Sequence, residues 1–413
     1  MSTQFQIERL GAQGDGIARA PGGQVFIPFA LPGETVTAAR DKDRADLIAV
    51  LEASPQRIAP ACRHFTDCGG CAIQHLENSE YLDWKRGKVH DALRGKGIEA
   101  EIAPTVPCAP NSRRRAVFSV RRTEGGMLLG YNRALSHQII DIEECPVIVP
   151  EIESSLDRLR GLAAKICNTT KSFHMTVTHT ETGLDVAASD AGKLPEEKRF
   201  EVSQFVIREG FARLSMDGEI IVEPTKPMVN FGDVPVFIPS GSFLQAVSTA
   251  EAVMVQLVME HLGKAKRVAD LFAGSGAFAL RLAKASEVHA VEGDAVALAA
   301  LDRGFRFATG LKRVTVEKRD LFRRPVTFKE LNAFNGLVFD PPRAGAEDQC
   351  KQIARSDVPL VAAVSCNPVT LARDLRILID GGYKLKSVTP VDQFIWSPHV
   401  EAVALLEKPK KRR

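Results

Sequence analysis

Short apolar runs rich in β-branched residues alternate with helical stretches along the last part of the chain, residues 241–413. Six of these runs predict strands, with the sequences RVADLF, EVHAVEG, RVTVEKRD, GLVFDPP, PLVAAVSC and AVALLEK. The stretches Ala250–Leu262 and Ala277–Ala285 predict helices between them. Strands that alternate with helices indicate an α/β fold, in which a parallel sheet carries helices on both faces. Ligands of such sheets bind beyond the carboxyl ends of the strands.

The first part of the chain has a different pattern. Its apolar runs are separated by turns such as Pro32-Gly33, which predicts a small β-barrel over residues 1–54. Residues 55–240 hold further strand candidates, RAVFSV, FHMTVTHT and PVFIPS, and a predicted helix over Tyr81–Leu93. The order of these strands does not follow from the sequence. We therefore expect a barrel, a central α+β domain and the α/β domain over residues 241–413.

Length and composition agree with several soluble domains. A chain of 413 residues is too long for one hydrophobic core. No apolar run reaches the roughly 18 residues of a membrane span, and no signal-peptide pattern occurs, so we expect a cytoplasmic protein. In that compartment the eight cysteines are expected to be ligands, catalysts or buried thiols rather than disulfides. We expect the chain to act as a monomer.

A glycine turn follows the first predicted strand of the α/β domain. In DLFAGSGAFAL, Gly274 and Gly276 allow a ligand to approach the backbone closely. The next strands end near Glu292, Asp320 and Asp340, and Glu292 is placed to accept hydrogen bonds from ribose hydroxyls. The turn lacks the last glycine of the dinucleotide fingerprint, and a DPP turn begins at Asp340. The set is typical of class I methyltransferases, which bind S-adenosylmethionine, rather than of NAD enzymes.

A thiol and a carboxylate are expected at the same rim. The fifth predicted strand delivers Cys366 to its carboxyl end, and Glu401 begins the last predicted strand. Taken singly, Cys366 could be a buried thiol and Glu401 a surface carboxylate. Together they suit methylation of uracil: a thiolate adds to carbon 6, carbon 5 attacks the methyl donor, and a base removes the carbon-5 proton. The helix expected after Asn367-Pro368 can favour the thiolate through its dipole.

The motifs FLQ, DLFAGSGAF, VEG, DPPRAGA, SCNP and HVE occur in an order that resembles the RNA uracil-5-methyltransferases, especially the iron–sulfur branch acting on 23S rRNA. The resemblance implies that Cys366 is the nucleophile and that Glu401 removes the carbon-5 proton. Besides Gly274 and Gly276, it implies cofactor contacts by Gln245, Phe272, Glu292, Asp320 and Asp340. Gln245 and Asp340 are also expected near the target base, with Phe243 stacked on the uracil. The N-terminal barrel resembles a TRAM domain, an OB-like module that binds RNA.

Four cysteines of the central domain are candidate metal ligands: Cys62, Cys68, Cys71 and Cys145. The first three follow the spacing C-x5-C-x2-C. Four thiolates can hold a [4Fe–4S] cluster or zinc, and spacing alone does not decide between them. A histidine could also enter a zinc site, either His64 or His75. The family resemblance implies a [4Fe–4S] cluster that shapes the RNA-binding surface.

Positive charge is concentrated in one segment, SRRRAVFSVRR at 112–122, although the net charge of the chain is only +3. Its arginines are Arg113, Arg114, Arg115, Arg121 and Arg122. Guanidinium groups bind phosphates and stack on splayed bases, so we expect RNA contacts here. A solvated charged strand is the alternative. The basic tail KPKKRR is expected to be disordered.

Taken together, the patterns and the resemblance predict an enzyme that methylates carbon 5 of a uridine, in 23S rRNA rather than in tRNA. Three alternatives stay open from the sequence. A methyltransferase that acts on a different base or position is one, since cytosine-5 enzymes also use a thiol. Relatives in the same family act on tRNA, and some of those also carry a cluster. A non-catalytic iron–sulfur protein that binds RNA on a methyltransferase scaffold would show similar motifs without methyl transfer.

Overall fold

The computed structural model of this protein describes residues 2–409. The disorder predicted for the basic tail falls largely on residues 410–413, which lie outside that range. Within the described range no helix is both long enough and apolar enough to cross a membrane.

The N-terminal strands form a small closed barrel. They are β1 (Ser2–Gln6), β2 (Arg9–Leu10), β3 (Gly16–Ala20), β4 (Gly23–Ile27), β5 (Thr35–Asp41) and β6 (Arg44–Glu52). β1 and β2 are two parts of one strand that bends at Ile7: β1 pairs with β5 and β2 pairs with β3. Pairing of β3 with β4, β4 with β6 and β5 with β6 closes the ring. The sequence prediction of a barrel is confirmed, and closure leaves no exposed sheet edge.

The middle of the chain is built on a seven-stranded sheet. Its elements are α1 (Asn78–Arg94), β7 (Arg115–Thr123), β8 (Gly126–Asn132), β9 (Ile139–Asp141), α2 (Pro150–Glu153), α3 (Leu156–Ile166), β10 (Phe173–Thr180), β11 (Gly183–Ser189), α4 (Glu196–Arg208), β12 (Arg213–Met216) and β13 (Glu219–Val222). The strand order is β13-β12-β11-β10-β7-β8-β9. Helices α3 and α4 pack on this sheet, and their apolar faces share one core with its strands. Long-range pairing such as β7 with β10 explains why the order could not be predicted locally.

The last part of the chain forms the α/β domain. Its elements are β14 (Met228–Phe231), β15 (Val234–Phe237), α5 (Ser248–Leu262), β16 (Arg267–Leu271), α6 (Ala279–Leu282), β17 (Glu287–Glu292), α7 (Ala295–Phe307), β18 (Val314–Lys318), α8 (Phe328–Leu331), β19 (Gly336–Phe339), α9 (Glu347–Arg355), β20 (Leu360–Ser365), α10 (Pro368–Asp380), β21 (Lys384–Val391) and β22 (Glu401–Glu407). The sheet order is β18-β17-β16-β19-β20-β22-β21, and β14 and β15 form a separate hairpin. β16 to β20 run parallel and β22 runs antiparallel between β20 and β21. All six predicted strands are present.

Two features of this domain differ from the prediction. β21 was not predicted, because Lys384, Lys386 and Pro390 interrupt its apolar pattern. The helix expected over Ala277–Ala285 is shortened to the four residues of α6, since the glycine turn extends to Ala277. Two hydrophobic clusters lie on opposite faces of the sheet, one with α5 and the other with α9 and α10.

The first helix of the middle segment packs against the α/β domain. α1 contacts α10 and β21, and its Val89 and Leu93 belong to the same core as Leu371 and Leu375. Leu82 of the same helix lies at the edge of a different cluster. The buried stripe of α1 instead runs through Tyr81, Lys85, Val89 and Leu93.

A buried carboxylate joins the central sheet to the α/β domain. Glu251 of α5 is 1 % exposed and accepts from two guanidinium groups, Arg114 at 2.8 Å and Arg281 at 2.7 Å. Arg114 also donates through Nε to the carbonyl oxygen of Gln245, at 3.0 Å. The backbone preceding β7 is therefore fixed to the start of α5.

Replacing Glu251 with leucine should lower the free energy of unfolding by about 3–5 kcal/mol, because it leaves two poorly solvated guanidinium groups without a counter-charge. The matched control is Glu287→Leu, because Glu287 is 57 % exposed and its oxygen lies 4.0 Å from Arg267. A change within about 0.5 kcal/mol is expected there. Denaturant unfolding followed by circular dichroism measures both, and equal losses in the two variants would contradict the role given to Glu251.

Candidate active site

The carboxyl ends of β16, β19 and β20 meet the beginning of β22 at one rim of the sheet. In the β20–β22 pairing, Ser365 lies opposite Ala402. The next position outward places Cys366 opposite Glu401, and Glu401 itself lies opposite Val391 of β21. The strand register thus brings together the thiol and the carboxylate that the sequence placed at separate strand ends.

A continuous chain of hydrogen bonds connects two acidic side chains at this rim. Gln245 donates through Nε2 to Asp340 Oδ2 at 2.8 Å. Gln393 donates through Nε2 to Gln245 Oε1 at 2.8 Å and to Glu401 Oε2 at 3.1 Å. The two glutamines and Glu401 are each less than 5 % exposed. Both amides therefore have a fixed orientation, since each donor has a defined acceptor.

Burial and nearby negative charge shift the pKa values of the acidic side chains and the thiol at this rim. Loss of solvent, followed by the negative charge of Asp340, raises the pKa of Glu401 well above its usual range. Burial likewise raises the pKa of Asp340. For the Cys366 thiol, burial and then the charges of Glu401 and Asp340 raise the pKa to about 11, against the opposing effect of Arg343. The resting thiol is therefore protonated at neutral pH, and the acids are stronger bases than exposed carboxylates.

The glycine turn after β16 has positive φ angles at both Gly274 and Gly276. Gly276 has a φ of 101°, and a Cβ built there would lie 2.8 Å from Leu301 Cγ. Phe272 is a non-glycine residue with a φ of 62°, a strained conformation for a bulky side chain. Gly274 N donates to Glu292 Oε2 at 2.9 Å, which fixes the turn against the end of β17.

Unpaired polar atoms surround this turn. Asp270 is 1 % exposed, and neither of its carboxylate oxygens has a partner with hydrogen-bond geometry, although the Ala279 N–H lies near. The hydroxyl of Ser275 is also buried without a partner. Burial, followed by the charges of Asp340 and Glu292, raises the pKa of Asp270 well above its usual range. Buried polar groups without partners indicate a place where a ligand supplies the missing bonds.

The remaining residues predicted to bind the cofactor or the base lie at the outer edge of the rim. Asp320 is exposed, and its Oδ1 accepts from Phe322 N at 3.0 Å, which closes a turn after β18. The Phe272 and Phe322 rings lie 5.6 Å apart and form an aromatic wall beside it. Phe243 is 72 % exposed two residues before Gln245, so its ring is free to contact a base.

A cleft of about 570 Å³ leads from the barrel to Cys366. Its walls come from three parts of the chain: the barrel segment 9–13, the α1 residues Trp84 and Lys88, and the Cys366 turn. Trp84 Nε1 donates to the Gly11 carbonyl oxygen at 3.2 Å, which holds α1 against the barrel. The cleft is thus open to a long substrate that contacts both the barrel and the rim.

The four predicted thiol ligands line one cavity of about 270 Å³. Burial, together with the charges of the neighbouring thiols, raises the pKa of Cys68 to about 11 and that of Cys71 to about 12. No group of three or more His, Cys, Asp or Glu side chains within residues 2–409 meets the geometry of a metal-ion site. His64 lines the cavity, but its Nε2 already accepts from Glu143 N at 3.0 Å.

The arginines predicted to bind RNA have different surroundings. Arg114 is engaged by Glu251 and by the Gln245 carbonyl oxygen, so its guanidinium is not available to phosphate. Arg113 lies over the Phe394 ring, 5.9 Å from its centroid, and donates to the Arg115 carbonyl oxygen. Arg121 and Arg122 are exposed, and Arg122 also donates to the carbonyl oxygen of Ala164.

The family model described as tRNA (Uracil-5-)-methyltransferase matches residues 184–409, which is more than half of the chain. The chain belongs to this family. It is therefore an RNA uracil-5-methyltransferase, as the motifs predicted. This result favours an enzyme over the non-catalytic alternative.

Relatives of the methyltransferase match over nearly the full length. It is 68% identical over 413 residues to an uncharacterized RNA methyltransferase of Mesorhizobium japonicum, covering 100% of both chains. It is 32% identical to the 23S rRNA (uracil(1939)-C(5))-methyltransferase RlmD of Halomonas elongata, covering 99% of this chain and 90% of that protein. The tRNA (uracil-54, C5)-methyltransferase of Pyrococcus abyssi, solved with S-adenosyl-L-homocysteine, gives a TM-score of 0.77 at 26% identity, covering 98% of this chain and 99% of that one.

Two residues of the site, Gln393 and Arg343, were not recognised as site residues from the sequence. Gln393, which connects Gln245 to Glu401, follows the unpredicted strand β21, so its position at the rim could not be recognised. The sequence signal for Gln393 is the polar pair Asp392-Gln393 directly after SVTPV, a short run typical of a strand end. Arg343 was noted only as part of the DPP turn, yet its charge acts on the methyltransferase's Cys366 thiol.

Alkylation of Cys366 by iodoacetamide, followed by mass spectrometry of its peptide, should accelerate about tenfold per pH unit from neutrality up to about pH 10, because only the thiolate reacts. In Glu401→Gln the curve should shift to lower pH, since loss of a nearby negative charge lowers the thiol pKa. Glu407→Gln, at the opposite end of β22, is the control and should leave the curve unchanged. A curve that does not respond to Glu401→Gln would contradict the electrostatic coupling.

Proposed function

We propose that this enzyme transfers a methyl group from S-adenosylmethionine to carbon 5 of a uridine in 23S rRNA, through a covalent adduct between Cys366 Sγ and carbon 6. The observation that carries the proposal is the hydrogen-bonded chain from Asp340 through Gln245 and Gln393 to Glu401 beside a thiol. It supplies a nucleophile, a base and oriented amides at one rim. Those are the groups that methylation of carbon 5 requires.

The rim after β16 and β17 fits S-adenosylmethionine. When bound, this cofactor supplies a methyl group on a positively charged sulfonium, which carbon 5 can attack. The side chains of Asp270, Glu292, Asp320 and Asp340 supply oxygen acceptors that suit the amine and hydroxyl donors of this cofactor, and the Asp270 oxygens have no partner with hydrogen-bond geometry. Gly274 and Gly276 let it approach the backbone, and Phe272 offers an aromatic face. By analogy, the related Pyrococcus abyssi enzyme binds S-adenosyl-L-homocysteine.

The reaction begins at Cys366, whose thiol must lose its proton as sulfur adds to carbon 6. That proton leaves into the open cleft that Cys366 lines. The raised pKa of Glu401 makes its carboxylate a competent acceptor for the carbon-5 proton of the later step. α10 begins directly after Cys366, with the Asn367 side chain accepting from Val369 N at 3.1 Å. The dipole of this 13-residue helix favours negative charge on sulfur, as does the Arg343 guanidinium.

Gln245 and Asp340 are placed to hold the uracil ring. The second N–H of Gln245 Nε2 is left free by its bond to Asp340, and it can donate to a uracil carbonyl oxygen. After methylation, Glu401 removes the proton from carbon 5. The C–H electron pair then forms the double bond between carbons 5 and 6, and the carbon–sulfur bond breaks to regenerate the Cys366 thiolate.

RNA is proposed to reach this rim through the cleft between the barrel and α1. Barrels of the OB type bind single-stranded nucleic acid, and the TRAM-like barrel contributes segment 9–13 to the cleft wall. Phe243 is the aromatic residue proposed to stack on the target uracil. Of the arginines, Arg113, Arg115, Arg121 and Arg122 remain proposed RNA ligands. Arg114 is withdrawn, because its guanidinium is committed to Glu251.

The choice of 23S rRNA rests on likeness to RlmD, which extends over 99% of this chain at 32% identity. The archaeal tRNA enzyme is more distant in sequence, at 26% identity. We therefore favour rRNA over tRNA.

The proposed domain division keeps the barrel at 1–54 and the central domain at 55–240, and it assigns helix α1 to the core of the α/β domain.

A [4Fe–4S] cluster is proposed for the cavity lined by Cys62, Cys68, Cys71 and Cys145. Burial raises the pKa of all four thiols, so they require a cationic centre to become thiolates together. A Cβ at Gly69 would lie 2.6 Å from the Asn132 carbonyl oxygen, so the CGGC turn lies tightly against the end of β8. The family resemblance favours a [4Fe–4S] cluster over zinc at these four thiols.

In vitro, 23S rRNA tritiated at carbon 5 of uridine should release tritium to water when wild-type enzyme and S-adenosylmethionine are present, and tRNA should not. Cys366→Ala should abolish release, and Glu401→Gln should lower it by about 10²–10⁴-fold, the usual contribution of a general base. Cys350→Ala, a buried thiol of α9, is the matched control and should retain activity. Turnover by Cys366→Ala would exclude the adduct, and release from tRNA alone would change the assigned substrate.

Anaerobically purified enzyme should contain iron and acid-labile sulfide in equal amounts, with broad visible absorption. Cys62→Ala and Cys145→Ala should lose both, because a cluster held by fewer than four thiolates is labile. Cys167→Ala, a buried thiol outside the cavity, should keep both. Stoichiometric zinc without sulfide would show that the cavity is a zinc site.

A further inference from the structure

Lys85 is a buried cation that the proposed reaction does not use. Its side chain is 0% exposed, and it lies on α1 between the apolar positions Tyr81 and Val89. Burying an ammonium group is unfavourable unless each of its N–H bonds finds an acceptor. The burial of the Lys85 ammonium must therefore be explained by the groups that accept its hydrogen bonds.

All three N–H bonds of Lys85 are directed at one loop, residues 392–399, between β21 and β22. Lys85 Nζ lies 2.8 Å from Asp392 Oδ1 and donates to the Phe394 carbonyl oxygen at 3.1 Å. The third acceptor is the carbonyl oxygen of His399. An ammonium has three N–H donors, so all of its hydrogen-bonding capacity is used by residues 392, 394 and 399 of this loop.

Neighbouring groups hold the same loop from outside. Tyr81 Oη donates to Asp392 at 2.7 Å and accepts from Trp396 N at 2.8 Å. Trp396 has a φ of 56°, and its carbonyl oxygen accepts from Ala72 N at 2.8 Å and from Ile73 N at 3.2 Å. A bulky residue in this conformation is strained, so the loop depends on its partners for its shape.

The loop connects the two sites of the enzyme. Its second residue is Gln393, which donates to Glu401 and to Gln245. Its later residues Phe394, Ile395, Ser397 and His399 line the thiol cavity. A displacement of the loop would therefore move the amide that orients the Glu401 carboxylate, although Lys85 itself touches neither Glu401 nor Cys366.

We propose that Lys85 is a positioning residue for the last step of the reaction, the removal of the carbon-5 proton. Its ammonium fixes the loop 392–399 and thereby the Gln393 amide that aims the Glu401 carboxylate. This inference rests on the proposed adduct mechanism. In the affected step the proton passes from carbon 5 to Glu401, the C–H electrons form the carbon 5–carbon 6 double bond, and sulfur leaves as the Cys366 thiolate.

The test separates adduct formation from adduct release. RNA transcribed with 5-fluorouridine can be attacked and methylated, but fluorine cannot leave as a proton does, so the adduct stays trapped whatever the base does. Lys85→Met should trap this RNA at a rate within about twofold of wild type. On ordinary RNA its turnover should fall by about 10–100-fold, the effect expected of a small misplacement, and adduct should accumulate on denaturing gels.

Two further variants guard against simple loss of folding. Lys85→Met/Asp392→Asn removes both charges while keeping the hydrogen bond of Tyr81 to residue 392, and it should show the same separation with a melting temperature nearer wild type. Lys96→Met replaces an exposed lysine just beyond α1 and should behave as wild type in both assays. Equal slowing on both RNAs in the double variant, or no slowing at all, would overturn the inference.

Glu401→Gln distinguishes failure of this inference from failure of the mechanism. If Glu401→Gln accumulates adduct and Lys85→Met does not, only the role of Lys85 is wrong. If the wild-type enzyme traps no 5-fluorouridine RNA, the adduct mechanism is wrong, and so is the role proposed for Lys85.

Discussion

Two carboxyl groups at one rim, of which Glu401 is buried and Asp340 half-buried, impose the main constraint on this structure together with the two amides between them. Burial raises the pKa of both Asp340 and Glu401, and the negative charge of Asp340 raises that of Glu401 further. Such a pair is tolerable only where hydrogen-bond donors stabilise it, and Gln245 and Gln393 are those donors. Any change that lets water reach the pair would return both acids towards the behaviour of exposed carboxylates.

The two amides are held in place by residues from distant parts of the chain. Gln245 is fixed through Arg114 of the segment before β7, and Gln393 through Lys85 of α1. The barrel in turn touches α1 through Trp84. The accessory segments therefore do more than supply an RNA surface, because they hold the backbone from which the site is built. This explains why α1 belongs to the core of the α/β domain although it is far from it in sequence.

The sequence was informative where structure follows from local pattern. Central parallel strands such as β19 and β20 read as continuous apolar runs, and motifs at their ends identified Asp340 and Cys366. The edge strand β21 carries Lys384 and Lys386 and was missed, so Gln393 at its end was missed too. The buried ion pairs of Lys85 and Arg114 were beyond reach, because a charged residue normally indicates an exposed position and its partner lies over 130 residues away.

A buried lysine is an unusual choice for holding a loop, since an apolar residue of similar volume often gives equal or greater stability. Apolar contacts are non-directional, however, and would permit several loop conformations of similar energy. An ammonium with three fixed acceptors permits one, because any other arrangement leaves a buried donor unpaired. The loop 392–399 carries a strained residue at Trp396 and must present Gln393 with ångström accuracy. Directional bonding from Lys85 and Tyr81 meets that requirement where packing alone would not.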